Sequence, residues 1–163
     1  MKFIGLFATA LFFAGFQWSE SASISTVNVE QGGSPRLINL GTVDCKSYFA
    51  DDAVIRNWTE AKAFCKTLGM KLATITTSTQ IAFLKNVYNG TTFAGSHWID
   101  ARDSFEERQF TWDETKTPVT SLSSFTFRNT GMPFQTCLAY ISAGTPDIYV
   151  YPCETQIQTL CET

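Results

Sequence analysis

The sequence predicts an α+β fold in which two helices pack on antiparallel strands and disulfides close the domain. Two capped helical patterns precede residue 90, and short runs of β-branched and aromatic residues follow them. The chain has 163 residues, 44% of them hydrophobic, which is enough for one apolar core. Its five cysteines follow a signal-like N-terminus, so we expect disulfides formed in an oxidising compartment.

The N-terminal segment predicts secretion. A lysine follows the initial methionine, residues 3–16 form an apolar run, and small residues come next. This run is too short to span a membrane and has the order of a secretory signal, so residues 1–23 are assigned to a signal peptide. Residues 24–36 are polar and form a flexible segment, and residues 37–163 form the domain. We expect a secreted, extracellular protein with no membrane span.

The two helices are predicted from their capping residues. Asn57 with Glu60, and Thr77 with Gln80, have the spacing of the capping box, in which a side chain and a backbone amide bond to each other reciprocally. Apolar residues recur at helical spacing after each box, and Gly69 ends the first helix.

Two N-glycosylation sequons coincide with the helix termini. Asn57 begins the first, and Asn89 begins the second, at the end of the second helix. A glycan attached to the amide nitrogen of Asn57 leaves the capping oxygen free, so capping and glycosylation are compatible.

Strand patterns occupy the rest of the chain. Residues 71–75 form a short strand, residues 96–100 and 109–113 form strands around an acidic loop, and residues 115–130 are polar and have no clear pattern.

A hairpin is predicted near the C-terminus. Its strands, residues 138–141 and 148–151, flank turn-forming residues, and Cys137 and Cys153 lie on opposite arms. Cysteines on facing arms can bond across a hairpin, which predicts the disulfide Cys137–Cys153. The last cysteine then needs a distant partner.

Several motifs occur in order from residue 58 to the C-terminus. They are Trp58, Ala61, Cys65, Gly69, Leu72-Ala73-Thr74-Ile75, Trp98-Ile99, Phe110-Thr111-Trp112, Cys137, Cys153 and Cys161-Glu162. In this order they resemble the C-type lectin-like domain over roughly residues 46–163. One departure is Trp-Ile-Asp-Ala at residues 98–101, where the family has Trp-Ile-Gly-Leu. The resemblance implies the C-type lectin-like fold.

The resemblance also implies a disulfide pairing. Cys65 would bond to Cys161, and Cys137 to Cys153, the pair already predicted from the hairpin. Cys45 remains, and an odd cysteine in a secreted protein suggests an interchain disulfide or a free thiol. The alternatives for Cys45 are therefore a covalent dimer and a buried unpaired cysteine that packs as a small hydrophobic residue.

In sugar-binding members of this family, two motifs supply oxygen ligands to a calcium ion that also binds sugar hydroxyls. The first is Glu-Pro-Asn or Gln-Pro-Asp, where this chain has Met132-Pro133-Phe134, and the second is Trp-Asn-Asp, where it has Ile148-Tyr149-Val150. Calcium requires six to eight oxygen ligands, so we expect no metal at the sugar site and no cofactor.

An auxiliary calcium site is an alternative at an acidic loop. Its residues are Asp100, Asp103, Glu106 and Glu107. The loop lacks the glycine and fixed ligand spacing of a calcium loop, so a solvated acidic loop is favoured.

Three other functional classes are disfavoured. A net charge of −3 without a lysine or arginine cluster argues against nucleic acid, and one histidine without a close cysteine pair argues against zinc. His97, the only histidine, lies beside Trp98, which is predicted to be a core residue. Asp113 and Glu114 are adjacent in a strand and point to opposite faces, so no enzyme activity is expected.

Two functions remain. The first is a recognition module that binds a glycan or glycoprotein without the usual calcium bridge. The second is a protein-binding domain without sugar binding, in which apolar and aromatic residues form an interface. For either, the candidate ligand-binding residues are Met132, Phe134, Tyr149 and Tyr151.

Overall fold

The computed structural model describes residues 36–87, 94–104, 109–120, 127–128, 136–142 and 147–163. All of them belong to one compact unit, Gln31–Thr163. The predicted signal peptide, most of the predicted flexible segment, Asn89, Glu106, Glu107, Met132 and Phe134 lie outside the described residues.

The described residues form two helices and nine strands, which confirms the predicted α+β class. The elements are β1 Leu37–Val43, β2 Lys46–Arg56, α1 Trp58–Thr67, β3 Lys71–Leu72, α2 Ser78–Val87, β4 Ser96–Ser104, β5 Gln109–Trp112, β6 Phe127–Arg128, β7 Thr136–Ile141, β8 Asp147–Pro152 and β9 Ile157–Glu162. The strand order is β1-β2-β9-β4-β7-β8-β6, with β3 beside β9 and β5 beside β4. Pairing is antiparallel except between β4 and β9 and between β6 and β8.

Both predicted capping boxes are present. Asn57 Oδ1 accepts a hydrogen bond from Glu60 N at 2.9 Å, and Glu60 Oε2 accepts one from Asn57 N at 3.1 Å. Gln80 N likewise donates to Thr77 Oγ1 at 3.1 Å. A cap of this kind contributes about 1 kcal/mol to helix stability. Each helix therefore starts where its local sequence indicates.

Gly69 ends α1, as predicted. Its φ of +71° lies in the left-handed region that favours glycine. The chain then turns into β3, which is shorter than the predicted strand 71–75 because only Lys71 and Leu72 pair with β9. Ala73 instead bonds to two strands, donating to Leu160 O at 2.9 Å and accepting from Asp100 N at 2.8 Å.

Strand β9 brings the two ends of the domain together. It pairs with β2 on one side and with β4 on the other. The disulfide Cys65–Cys161 joins β9 to α1 across 96 residues of sequence, with the two Cα atoms 5.6 Å apart. The second disulfide, Cys137–Cys153, joins the ends of the β7–β8 hairpin. Both are the pairs that the resemblance implies.

The apolar residues that the structure describes form two core clusters. The larger contains Ile75 and Leu84 of the α2 region together with Trp112, Leu138 and Ile148 of the sheet. The smaller surrounds the two disulfides and includes Trp58 and Trp98. Trp98 is 0% exposed, which confirms it as a core residue, and Trp112 is also buried at 2% exposure.

Within the described residues, neither helix has the length and apolarity needed to cross a membrane.

We predict that Gly95→Ala lowers the free energy of unfolding by about 1–3 kcal/mol, the usual cost of a strained backbone conformation. Gly95 has a φ of +133°, and an added Cβ would overlap Gln158 Oε1. The Gln158 amide donates to Asp52 O at 3.0 Å, so moving it breaks a hydrogen bond. Urea denaturation followed by tryptophan fluorescence measures the loss.

Gly69→Ala is the control for this contact. Gly69 also has a positive φ, but no atom lies within 4 Å of the added Cβ. Equal losses in the two variants would show that the contact with Gln158 contributes nothing.

Candidate functional site

Strand β8 presents different residues on its two faces. Ile148 and Val150 are 0% and 2% exposed and belong to the larger core cluster. Tyr149 and Tyr151 are half-buried. Because side chains alternate along a strand, the two tyrosines share the opposite face.

The two tyrosine rings are stacked, with centroids 5.9 Å apart and planes at 20°. Tyr151 also meets the ring of Trp98 edge to face at 6.2 Å, so it forms part of the smaller core cluster. Tyr149 lies opposite the small residue Ala139 of β7. Of the predicted ligand-binding residues, the structure therefore brings Tyr149 and Tyr151 together, and Met132 and Phe134 lie outside its described part.

The carboxylate at the start of β8 is already occupied. Asp147 Oδ2 is 2.7 Å from Arg128 Nε, and Asp147 Oδ1 accepts a hydrogen bond from Ile148 N at 3.1 Å. Arg128 lies on β6, opposite Tyr149. This ion pair joins the short edge strand β6 to β8, beside the tyrosine pair.

The β8 positions aligned with the second calcium motif supply no carboxylate or amide side chain. Ile148 and Val150 are buried hydrocarbons, and the tyrosine between them carries only a phenolic oxygen. Across the described ranges, no group of three or more histidine, cysteine, aspartate or glutamate residues is arranged to hold a metal ion.

Asp100, expected in the acidic loop, is instead buried. Its Oδ1 atom is 3.0 Å from Lys62 Nζ, and its Oδ2 atom accepts a hydrogen bond from Glu114 N at 2.7 Å. Burial raises the pKa of Asp100, although Lys62 opposes this shift. The ammonium group of Lys62 thus takes the place beside Asp100 that a cation would otherwise need.

Asp113 binds three cations. Its carboxylate lies 2.6 Å from Lys62 Nζ, 2.6 Å from Lys116 Nζ and 2.8 Å from Arg102 Nε. Burial opposes ionisation, but the hydrogen bonds from Lys116 and Lys62 prevail and lower the pKa of Asp113 to about 2. The neighbouring Glu114 pairs with a different residue, Lys71, at 3.3 Å.

Comparisons with known proteins identify the family to which this fold belongs. The profile of the Lectin C-type domain matches residues 54–163. The chain belongs to the C-type lectin domain family. C-type lectin domain family 4 member F of Rattus norvegicus is 34% identical over 86 residues, 53% of this chain and 14% of that protein. The chain spans only about one-seventh of the length of the curated relatives it matches.

Two solved structures show the same fold as this C-type lectin domain. The carbohydrate-recognition domain of the mouse scavenger receptor C-type lectin has a TM-score of 0.59 at 22% identity, covering 80% of this chain and 95% of that one. The Ca²⁺-independent C-type lectin SPL-2 from Saxidomus purpuratus has a TM-score of 0.58 at 24% identity, covering 75% and 88%.

Cys45 of this C-type lectin domain is exposed in the turn between β1 and β2. Its φ of +61° and that of Asp44, +50°, form a tight hairpin turn. The alternative of a buried unpaired cysteine is therefore wrong.

Neither the ion pair Arg128–Asp147 nor the cluster of carboxylates around Lys62 was predicted from the sequence. Arg128 lies in the polar segment that has no clear pattern, so no signal places it against β8. The i, i+4 spacing of Lys62 and Lys66 was a signal that both lysines share one face of α1.

We predict that the C-type lectin domain loses roughly 3 kcal/mol of stability between pH 6.5 and pH 4 because of His97. His97 is buried, and burial lowers its pKa to about 4, although Asp51 and Asp52 oppose the shift. The unfolded chain binds this proton near pH 6.5 and the folded chain only near pH 4. The contribution of neutral His97 to the free energy of unfolding is therefore complete above pH 6.5, and it is lost as the pH falls towards 4.

Urea denaturation at half-unit pH steps measures this slope. His97 is the only histidine, so its effect between pH 5 and 6.5 is separate from that of ordinary carboxylates. A His97→Phe variant should have a flatter profile in this range, and an unchanged slope would contradict the prediction.

Proposed function

We propose that this chain is a secreted recognition module that binds a carbohydrate or glycoprotein without a calcium bridge. The observation that carries the proposal is the composition of β8. Ile148 and Val150 direct hydrocarbon side chains into the core, and Asp147 is paired with Arg128. A calcium ion would find no carboxylate or amide side chain at the positions aligned with Trp-Asn-Asp.

The tyrosine pair supports an aromatic mode of recognition. Tyr149 has an apolar ring and a hydroxyl group, so it can pack against the apolar face of a sugar and bond to a polar edge. Its ring is held in place by stacking on Tyr151, which in turn packs on Trp98. Holding the ring before binding reduces the entropy lost on binding. The fold is shared with a lectin described as Ca²⁺-independent, which supports binding without a calcium bridge.

A binding role fits the candidate catalytic groups better than catalysis does. His97 is buried, and Asp113 and Glu114 pair with separate lysines. We therefore propose a module without enzyme activity.

We also propose that the chain carries a signal peptide over residues 1–23 and glycans on Asn57 and Asn89, with residues 37–163 forming the domain. The geometry at Asn57 supports glycosylation there. Its oxygen accepts the capping hydrogen bond from Glu60, so capping uses the oxygen and leaves the amide nitrogen.

We predict that a glycan array gives the same binding pattern in calcium and in excess EDTA. Tyr149→Ala should weaken binding at least about tenfold, or ~1.4 kcal/mol, because it removes the half-buried ring that would contact the ligand. Its melting temperature should change little. Tyr151→Ala should lower the melting temperature, because the Tyr151 ring packs in the core.

Ile55→Ala is the control for loss of an exposed apolar side chain. Ile55 is 58% exposed on β2 and should contribute nothing to binding. Binding that EDTA abolishes would contradict the calcium-free mode. No glycan binding in either condition, together with capture of a defined protein partner, would favour the protein-binding alternative.

We predict that the purified protein runs as a dimer on a non-reducing gel and as a monomer after reduction, because Cys45 is exposed at a turn. Cys45→Ser should run as a monomer in both conditions while keeping both internal disulfides. A monomer on the non-reducing gel of the original chain would rule out the covalent dimer.

A further inference from the structure

A cavity lies between the C-terminal end of α1, β3 and the turn after β5, apart from the face of β8 that carries the tyrosines. It encloses about 430 Å³ and is lined by Lys62, Lys66, Lys71, Met70, Asp100 and Glu114, among others. This volume is within the range of roughly 300–1,000 Å³ typical of small-molecule sites. None of its lining residues belongs to β8.

The local sequence explains why three lysines meet there. Lys62 and Lys66 are four residues apart on α1, so they lie on one face of the helix. Gly69 ends the helix with a positive φ, and the chain turns into β3. Lys71 on β3 therefore returns to the same cavity.

The surroundings of the cavity carry an excess of positive charge. Among the described residues, three carboxylates at or beside the cavity, those of Asp100, Asp113 and Glu114, pair with four cations. The four paired cations are Lys62, Lys71, Arg102 and Lys116. Lys66 is a further lysine that pairs with none of these carboxylates. The residues that line the cavity itself are three lysines and two carboxylates, which leaves a surplus of one positive charge on a chain whose net charge is −3.

Two of these lysines are available to a ligand. Lys66 is exposed and makes no ion pair with any described residue. Lys71 pairs with Glu114 at 3.3 Å, but the two side chains are 63% and 45% exposed. Exposed pairs of this kind contribute little to stability, so an anion can replace Glu114 at small cost. Lys62, in contrast, is held by two carboxylates and is only 31% exposed.

From this arrangement we infer that the cavity binds an anionic substituent, a sulfate or a carboxylate, carried by a saccharide. Ammonium groups bind such oxygens through charge-assisted hydrogen bonds. Met70, which is half-buried, provides an apolar surface beside the lysines for the body of the ligand. The saccharide part rests on the proposed function, and the anionic part rests on the lysines.

Binding by the full chain to four probes tests the inference by calorimetry. The probes are a sulfated glucosamine–uronate tetrasaccharide, its unsulfated uronate form, a neutral N-acetylglucosamine tetrasaccharide and sodium sulfate. One or both anionic saccharides should bind more tightly than the neutral one. Lys66→Gln with Lys71→Gln should weaken that binding roughly tenfold or more, and both side chains are exposed, so the melting temperature should be unchanged.

The double variant Arg36→Gln with Lys85→Gln is the matched control. It removes the same net charge from residues that do not line the cavity, and it should retain anionic saccharide binding. Equal weakening in both double variants would overturn the inference, since it would show that binding depends only on the overall charge of the protein.

The remaining outcomes separate this inference from the proposed function. Saccharide binding that is equally tight for neutral and anionic forms would overturn the inference that the cavity binds an anionic substituent. It would leave the proposed function intact. Sodium sulfate binding as tightly as the sulfated saccharide would overturn the saccharide part. Failure of every saccharide to bind would overturn the inference, whereas the proposed function is overturned only by a glycan array without binding.

Discussion

The attachment of β9 to the rest of the domain is the constraint on which the structure depends. Cys161 bonds to Cys65 of α1, and the next residue, Glu162, is 6% exposed. The Glu162 carboxylate accepts hydrogen bonds from Lys46 Nζ at 3.0 Å and from Thr74 N at 3.0 Å. A buried carboxylate requires such partners, because removing one typically costs 3–5 kcal/mol. The last strand is thus held covalently and electrostatically between β2 and β4.

This central strand determines where functional surfaces can form. β4 pairs with β9 on one side and with β7 on the other, and β7 pairs with β8. The face of β8 that carries Ile148 and Val150 must then complete the core, which leaves Tyr149 on the opposite face. The lysine cavity arises elsewhere, where Gly69 turns the chain from α1 to β3. One rigid framework therefore supports an aromatic surface and a cationic surface at separate places.

Local features were predictable because nearby residues in sequence determine them. The caps at Asn57 and Thr77, the end of α1 at Gly69 and the hairpin of β7 and β8 agree with the structure. Features that need distant residues were less predictable. Ala73 leaves the predicted strand 71–75 because Leu160 and Asp100 supply its hydrogen bonds, and Asp100 is buried because Lys62 neutralises it. The exposure of Cys45 also depended on how β1 and β2 meet.

The sequence alone determined the α+β class, the starts of both helices, the family resemblance and the absence of carboxylate or amide side chains at residues 148–150, since these depend on residue type and short spacing. Only the tertiary structure decided which charges meet and which side chains remain accessible. Lys62 and Asp113 are 51 residues apart in sequence but 2.6 Å apart in space. Such contacts form only when burial of the apolar faces brings the elements together, so no local pattern encodes them.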